Sequence, residues 1–440
     1  MGNLKIHDKI DIVAGGQAEV LGEFGSGGQG TVYKANYNGQ IYALKWYHPG
    51  VFHGKEHEFY QNIENNISKG APTSAFLWPK AITKVCNGQF GYLMDIRPDG
   101  YEELTNYFVG SRKQKQVRFK SFSAICNAAI QIINAFRELH NNGYSYQDIN
   151  NGNFFIKPDS GDVLICDNDN VSPFGTNLGI MGKQRWMAPE IVTGQNDPDK
   201  NSDRFSLAVV LFRLLFINHP LEGRYSTPPC MTKELERKYY GTDPVFVYDS
   251  SNPINRPIPG TDHNLKLFWN VYPDYVKAAF TYAFSHDVMM KSKPRLLEKQ
   301  WMDIFVRLRS EIGLCPHCRQ EMFFTYNGSH EITCMECGKK VPVSNTITIK
   351  NLVFPIYCGL KISLWSVDSS QEDTVTQLAE VVRNPKNPQM LGFRNLSVRT
   401  WIVNLPDGSQ RPLPPQQVVP VHTEFVIHFL GGINDAGEIK

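Results

Sequence analysis

The sequence predicts an α+β chain of successive parts, and three observations carry that prediction: short alternating β-type runs early, helical periodicity in the middle, and two paired-cysteine steps followed by further β-type runs. From about residue 20 to 47, alternating segments separated by Gly and Asn, such as Gln40 to Trp46, read as antiparallel strands. Apolar residues then recur at Phe122, Ile125, Ala129, Ile132, Ile133, Phe136 and Leu139, a spacing of three and four that ends near Gly143. The apolar run Phe205 to Pro220 contains Arg213 and Asn218 and falls short of the roughly 20 residues that span a bilayer, so it reads as a buried core helix. A last helix around Arg295 to Leu308 gives way to Cys315. From about residue 350 the pattern is β-type, with Asp407-Gly408 a hairpin turn between Arg399 to Asn404 and Gln417 to Val421.

A chain of 440 residues is expected to hold two or three domains. Hydrophobic residues at 41% and charged residues at 20% describe folded globular protein rather than a disordered chain. Lys plus Arg at 45 against Asp plus Glu at 43 creates no global field that would draw in nucleic acid or an anionic membrane. Met1 to Ile10 lacks the apolar centre of a signal peptide, and position six lacks the Ser or Thr that favours myristoylation. Five of the nine cysteines are scattered singly, which is the usage expected of a reducing cytoplasm.

The chemistry-bearing residues begin with Gly25-Ser26-Gly27-Gly28-Gln29-Gly30-Thr31-Val32, a G-x-G-x-x-G-x-V loop whose backbone N–H groups can approach a triphosphate. Alone it is equally a Gly-rich turn between strands. Ala43-Leu44-Lys45 follows, a strand whose Lys would hold the α and β phosphates. Asp148 and Asn153 stand five apart just after the long helix, in the spacing D-x-x-x-x-N. Leu164-Ile165-Cys166-Asp167 is a short apolar strand ending in a carboxylate suited to Mg²⁺, and Ala188-Pro189-Glu190 follows, with Arg295 available to pair with the Glu.

Five motifs in one order resemble the eukaryotic-like Ser/Thr protein kinases over residues 15–310, with an N-lobe at 15–95 and a C-lobe at 96–310. His219-Pro220-Leu221-Glu222-Gly223-Arg224 and the stretch from Asp243 through Asn255 to Pro273 resemble more narrowly the bacterial kinases of tellurite-resistance-associated neighbourhoods. Those accompany a metal-dependent protein phosphatase and a von Willebrand A-type protein. The resemblance implies a bilobal kinase fold, protein substrates, and ATP held by Gly25, Gly27, Gly30, Val32, Ala43, Lys45, Met94 and Asp95. It also implies Mg²⁺ or Mn²⁺ on Asn153 and Asp167, and Asp148 on the acceptor hydroxyl.

Four departures from the family pattern stand out. His-Arg-Asp becomes Tyr146-Gln147-Asp148, which removes the Arg that reads a phosphorylated activation loop. Asp-Phe-Gly becomes Asp167-Asn168-Asp169, where Asp169 is either a further metal ligand or a turn-capping residue. The Glu partner of Lys45 has three candidates, Glu56, Glu58 and Glu64, with Glu58 favoured. Asn150 replaces the usual Lys of the catalytic loop while Lys183 replaces the Thr that normally faces it, so the ammonium is expected to have changed sides; a solvated Lys183 is the plain alternative.

Cys315, Cys318, Cys334 and Cys337 give C-x2-C-x15-C-x2-C, the spacing of a structural Zn²⁺ site. The sequence thus divides into a kinase domain, a zinc ribbon at 311–344 and a small all-β docking or scaffolding domain at 345–440. The rival readings are a pseudokinase scaffold, a small-molecule phosphotransferase, and a zinc-ribbon nucleic-acid regulator, for which Lys339-Lys340 is a slight basic patch.

Overall fold

The computed structural model describes residues 4–109, 116–291, 293–431 and 435–440, and the chain forms two compact units. One comprises Met1–Phe119, Gln131–Lys266 and Ala279–Lys299; the other comprises Lys120–Ile130, Leu267–Ala278 and Gln300–Lys440.

The first unit begins with strands β1 (Lys9–Asp11), β2 (Gln17–Ser26), β3 (Gly30–Tyr37), β4 (Gln40–Tyr47), β5 (Ala81–Ile82) and β6 (Gly91–Met94) in one antiparallel sheet of order β1-β2-β3-β4-β6-β5. Period-two alternation sends Val20, Tyr33, Ala35 and Leu44 to one buried face. The other face carries Ala43, Tyr47 and Tyr92 against Phe59 and Ile63 of helix α1 (Glu56–Lys69). Gly30 is fixed by packing, because a Cβ there would stand 2.4 Å from the Trp46 carbonyl oxygen.

Beyond the sheet lie the helix Phe122–Asn141 and the helix Lys200–Phe216. Asp199 and Ser202 close a capping box at the start of the latter, whose side chains from Phe205 to Phe212 are all buried, as expected of a helix apolar on every side. Among the described residues no helix is long and apolar enough to cross a membrane. Arg295 forks onto Glu190, Nη1 to Oε1 at 2.9 Å and Nη2 to Oε2 at 2.7 Å.

In the second unit, the hairpin Ile312–Leu314 with Glu321–Phe323 and the hairpin Glu331–Thr333 with Lys340–Pro342 carry the four cysteines at their turns. Behind them a six-stranded and a four-stranded antiparallel sheet pack together. Cys315, Cys334 and Phe324 are buried in the same cluster as Ile347, Tyr357 and Trp401, and Phe324 stacks on Tyr357. The ribbon and the β module, separate in the sequence reading, therefore share one core. The Asp407-Gly408 turn joins Trp401–Asn404 to Gln410–Leu413, not to Gln417 to Val421. Gln410–Leu413 is the outer strand of its sheet, a position that tolerates the missing N–H of Pro412.

A buried ionic network ties the helices of the first unit together. His140 meets Asp203 through Nε2 at 3.1 Å and Glu298 through Nδ1 at 2.9 Å, and Arg204 Nε donates to Glu298 at 2.8 Å. Burial works against the Glu298 carboxylate, but His140 and Arg204 outweigh it and pull its pKa down to about 2. A depressed carboxylate stabilises the fold above its unfolded value of about 4.3 and loses that contribution as pH falls toward 2. We expect Glu298→Ala to cost about 3–5 kcal/mol at pH 6. The gap to wild type should narrow progressively between about pH 4.5 and pH 2, as read by denaturant midpoints across pH.

Candidate active site

Lys45 is the starting point, because an ammonium on the central strand β4 is 5% exposed and a buried charge must be paired. Its Nζ donates to Asp169 Oδ2 at 2.8 Å, to Asp167 Oδ1 at 3.4 Å and to Gln29 Oε1, of the glycine-rich loop, at 3.3 Å. Burial presses against the charged form, but the two carboxylates overcome it and hold the pKa of Lys45 above the ordinary lysine range.

Asp167 sits at φ 53° and leads into the short turn Asn168–Asn170. That left-handed residue leaves Asp167 half-exposed while Asp169 is fully buried. Asn168, at the position of the family's Phe, donates its amide to the carbonyls of Leu77 and Ile165, both at 2.9 Å. A pair of amides, Asn62 and Asn66 on the inward face of α1, donates to the Val171 carbonyl.

The catalytic-type loop hangs from Asp203, whose oxygens accept from the Tyr146 N–H at 2.7 Å and the Gln147 N–H at 2.9 Å. Asn150 and Asn153 then hold Asp148: Asn150 Nδ2 donates to Asp148 Oδ1 at 3.0 Å, and Asn153 Nδ2 to the Asp148 carbonyl at 2.9 Å. Burial raises Asp148 to a pKa of about 6; the Asn150 hydrogen bond lowers it and the Asp167 charge raises it further. Gln147 is buried and donates to Ser145, Ser172 and the Thr176 carbonyl, tying the loop to the following segment through neutral groups.

Of the residues expected from sequence, Lys45, Asp148, Asn153 and Asp167 come together here. Val32 lies opposite Lys45 in the β3–β4 register, and Ala43 opposite Met94 in the β4–β6 register. Asp95 pairs with Lys80 at 2.7 Å. Glu58 does not join them: it lies on the exposed side of α1, because the helix turns Phe59, Asn62, Ile63 and Asn66 inward. Asp169 is not offered to a metal either, since Lys45, Tyr47 and Tyr92 surround its oxygens. Lys183 is exposed and donates to Asn151 Oδ1 at 2.9 Å. Sequence reasoning missed Tyr47 and Tyr92. Polar tips two residues along β4 from Lys45 and on the neighbouring strand were the available signal.

Within the two stretches that carry the narrower resemblance, residues 219–224 and 243–273, Asn255 joins one to the other by packing and hydrogen bonds. Asn255 Nδ2 donates to the Leu221 and Val245 carbonyls at 2.9 and 2.7 Å, and a Cβ on Gly223 would stand 2.2 Å from the Asn255 carbonyl oxygen.

Comparison with protein families matches residues 18–240 to the protein kinase domain, which is half of the chain. The chain belongs to the protein kinase family. Among curated proteins the kinase domain is similar to Protein kinase YegI of Escherichia coli strain K12, 25% identical over 250 residues that make up 54% of this chain and 37% of YegI. It is also similar to the probable serine/threonine-protein kinase kinX of Dictyostelium discoideum, 26% identical over 45% of this chain and 18% of that protein. The chain thus spans less than half the length of these relatives. A solved structure, the kinase domain of Mycobacterium tuberculosis PknI, matches 50% of this chain and 81% of its own at 17% identity and a TM-score of 0.38.

The kinase family implies ATP with Mg²⁺. The donors fit a hard cation, which takes oxygen ligands: Asp167 offers a half-exposed carboxylate, and Asn153, whose backbone carbonyl accepts from the N–H of Cys166 beside Asp167, offers an amide oxygen. The four cysteines form a group able to hold a metal, with all Sγ atoms within 4.8 Å of one another. Cys315 and Cys337 are 3.8 Å apart and Cys318 and Cys334 3.7 Å, close to the edge of about 3.8 Å that a tetrahedron with Zn–S bonds of about 2.3 Å requires. These spacings exclude disulfides. Both turns make the same pair of backbone bonds: Cys315 N–H to Gln320 and Arg319 N–H to Cys315 in one, Cys334 N–H to Lys339 and Gly338 N–H to Cys334 in the other. We expect one zinc per chain by metal analysis. Cys315→Ser should release it and raise amide exchange from residue 311 into the strand Thr346–Ile349, whose Ile347 shares the cysteine core. A zinc-free wild type would contradict this.

Proposed function

We propose that this chain transfers the γ-phosphoryl group of ATP to a Ser or Thr hydroxyl of a protein, with Lys45, Asp148, Asn153 and Asp167 as its working residues. The observation that carries the reading is the convergence of one buried ammonium, one carboxylate with a raised pKa and one half-exposed carboxylate around a common point. Phosphoryl transfer demands little covalent chemistry from a protein and much placement and charge neutralisation. Lys45, held against Asp167, orients the phosphates of the donor. Asp148, fixed from both sides by Asn150 and Asn153, accepts the hydroxyl proton as the oxygen attacks in line. Mg²⁺ on Asn153 and Asp167 supplies charge neutralisation of the phosphates when bound.

The direct Gln147 tether supports activity without activation-loop phosphorylation, since no charged reader of a phosphate stands at that position. The resemblance in residues 219–273 favours protein substrates that include a von Willebrand A-type protein, with a metal-dependent phosphatase as the opposing enzyme. The four-cysteine site is read as structural zinc, because four thiolates close the coordination shell. The β-rich remainder of the second unit is read as a docking module.

Two tests follow from these roles. Asp148→Ala should abolish transfer while nucleotide binding, measured by calorimetry, survives, because Asp148 acts on the acceptor and Lys45 on the donor; retained turnover contradicts the assignment. Lys183 supplies the positive charge that Asn150 lacks, so Lys183→Thr should cut kcat by about 10²–10³ with little change in the KM for ATP. Adding Asn150→Lys should restore part of the rate. An unchanged kcat in Lys183→Thr would remove that role.

A further inference from the structure

We propose that Asp169, the third residue of the Asp-Asn-Asp segment, is the positioning residue that holds Lys45 in register with the phosphates, replacing a carboxylate from α1. The inference rests on the kinase reading above and assigns a role that reading leaves open.

Three donors converge on this one carboxylate. Lys45 Nζ and the Tyr47 hydroxyl bond Oδ2 at 2.8 and 2.5 Å, and the Tyr92 hydroxyl reaches Oδ1 at 3.4 Å. The sheet dictates the convergence. Tyr47 is two residues beyond Lys45 on β4 and so shares its face, and Tyr92 is the cross-strand partner of Lys45 on β6. Asp169 is fully buried, so its orientation is set by these donors and not by water. Donors on both oxygens fix the carboxylate as a second fixed point for the ammonium beside Asp167.

Helix α1 offers nothing equivalent. Its inward face is Phe59, Asn62, Ile63 and Asn66, and the two asparagines are spent on the Val171 carbonyl. Glu56 and Glu64 line a separate depression with Tyr60, Val85, Gly88 and Phe90, and Glu58 is exposed. The consequence is mechanical. Lys45 is bound to a residue two positions from Asp167, so the donor-orienting ammonium and the half-exposed carboxylate move as one piece and their alignment does not depend on a swing of α1.

The test is steady-state kinetics of the full chain with Mg–ATP and a protein acceptor, for wild type, Asp169→Asn, Lys45→Met and the double variant, with thermal unfolding recorded for each. Asp169→Asn, which keeps shape and removes charge, should lower kcat/KM for ATP about 10²-fold, the cost of misplacing a reacting group by about 1 Å. The double variant should be no worse than Lys45→Met alone, because Asp169 acts only through Lys45; a merely structural role would add its loss to that of Lys45→Met. If Asp169→Asn does not fold, the double variant Tyr47→Phe with Tyr92→Phe replaces it and should lower kcat/KM about tenfold by freeing the carboxylate. A fully active Asp169→Asn or Tyr pair, or additive losses, would overturn the proposal. Absence of transfer in wild type itself would instead overturn the kinase reading on which it rests.

Discussion

An ammonium taken out of water must be met by a carboxylate, and in this chain that requirement is concentrated at Lys45. Three side chains meet it: Asp169, Asp167 and Gln29 of the glycine-rich loop. The apolar face of β4 and β6 that keeps water from this cluster also packs α1. Removing the carboxylates would leave a buried unpaired charge, and such changes cost several kcal/mol. The folded sheet and the site are therefore one construction.

A second constraint is backbone, not side chain. Asp203 accepts the N–H groups of Tyr146 and Gln147, and it is itself braced by His140, so the loop bearing Asp148 is hung from the buried helix Lys200–Phe216. Neutral amides then do what charged pairs do elsewhere: Gln147 links this loop to Ser172 and Thr176, and Asn62 and Asn66 link α1 to Val171. Neutral hydrogen bonds are insensitive to phosphate and to modest changes in pH, which suits a site kept in one geometry.

The residues of the site were legible in the sequence wherever chemistry and spacing coincide, as for Lys45, Asp148, Asn153 and Asp167. What spacing could not convey is the direction in which a side chain leaves a turn. Asp169 was as compatible with a metal as with a cap; the left-handed conformation of Asp167 sends it into the sheet instead. Among the three acids of α1 Glu58 was favoured, but spacing does not show which side of the helix faces the sheet, and burial of Phe59 and Ile63 turns Glu58 outward. The four cysteines were legible from spacing alone, whereas the shared core of ribbon and β sheets was not, since Phe324 and Tyr357 are distant in sequence. The hairpin partner expected at Gln417 to Val421 is instead Gln410–Leu413, an outer strand whose first three residues are exposed and which therefore carries no alternating apolar pattern.

The site is proposed to move the γ-phosphoryl group of ATP to a protein hydroxyl. The most direct measurement is incubation of the purified full chain with γ-labelled ATP and Mg²⁺, alone and with candidate acceptor proteins, followed by phosphoamino-acid analysis. Label is expected on Ser or Thr and is lost in Lys45→Met. No label on any protein, with no heat of nucleotide binding, would contradict it.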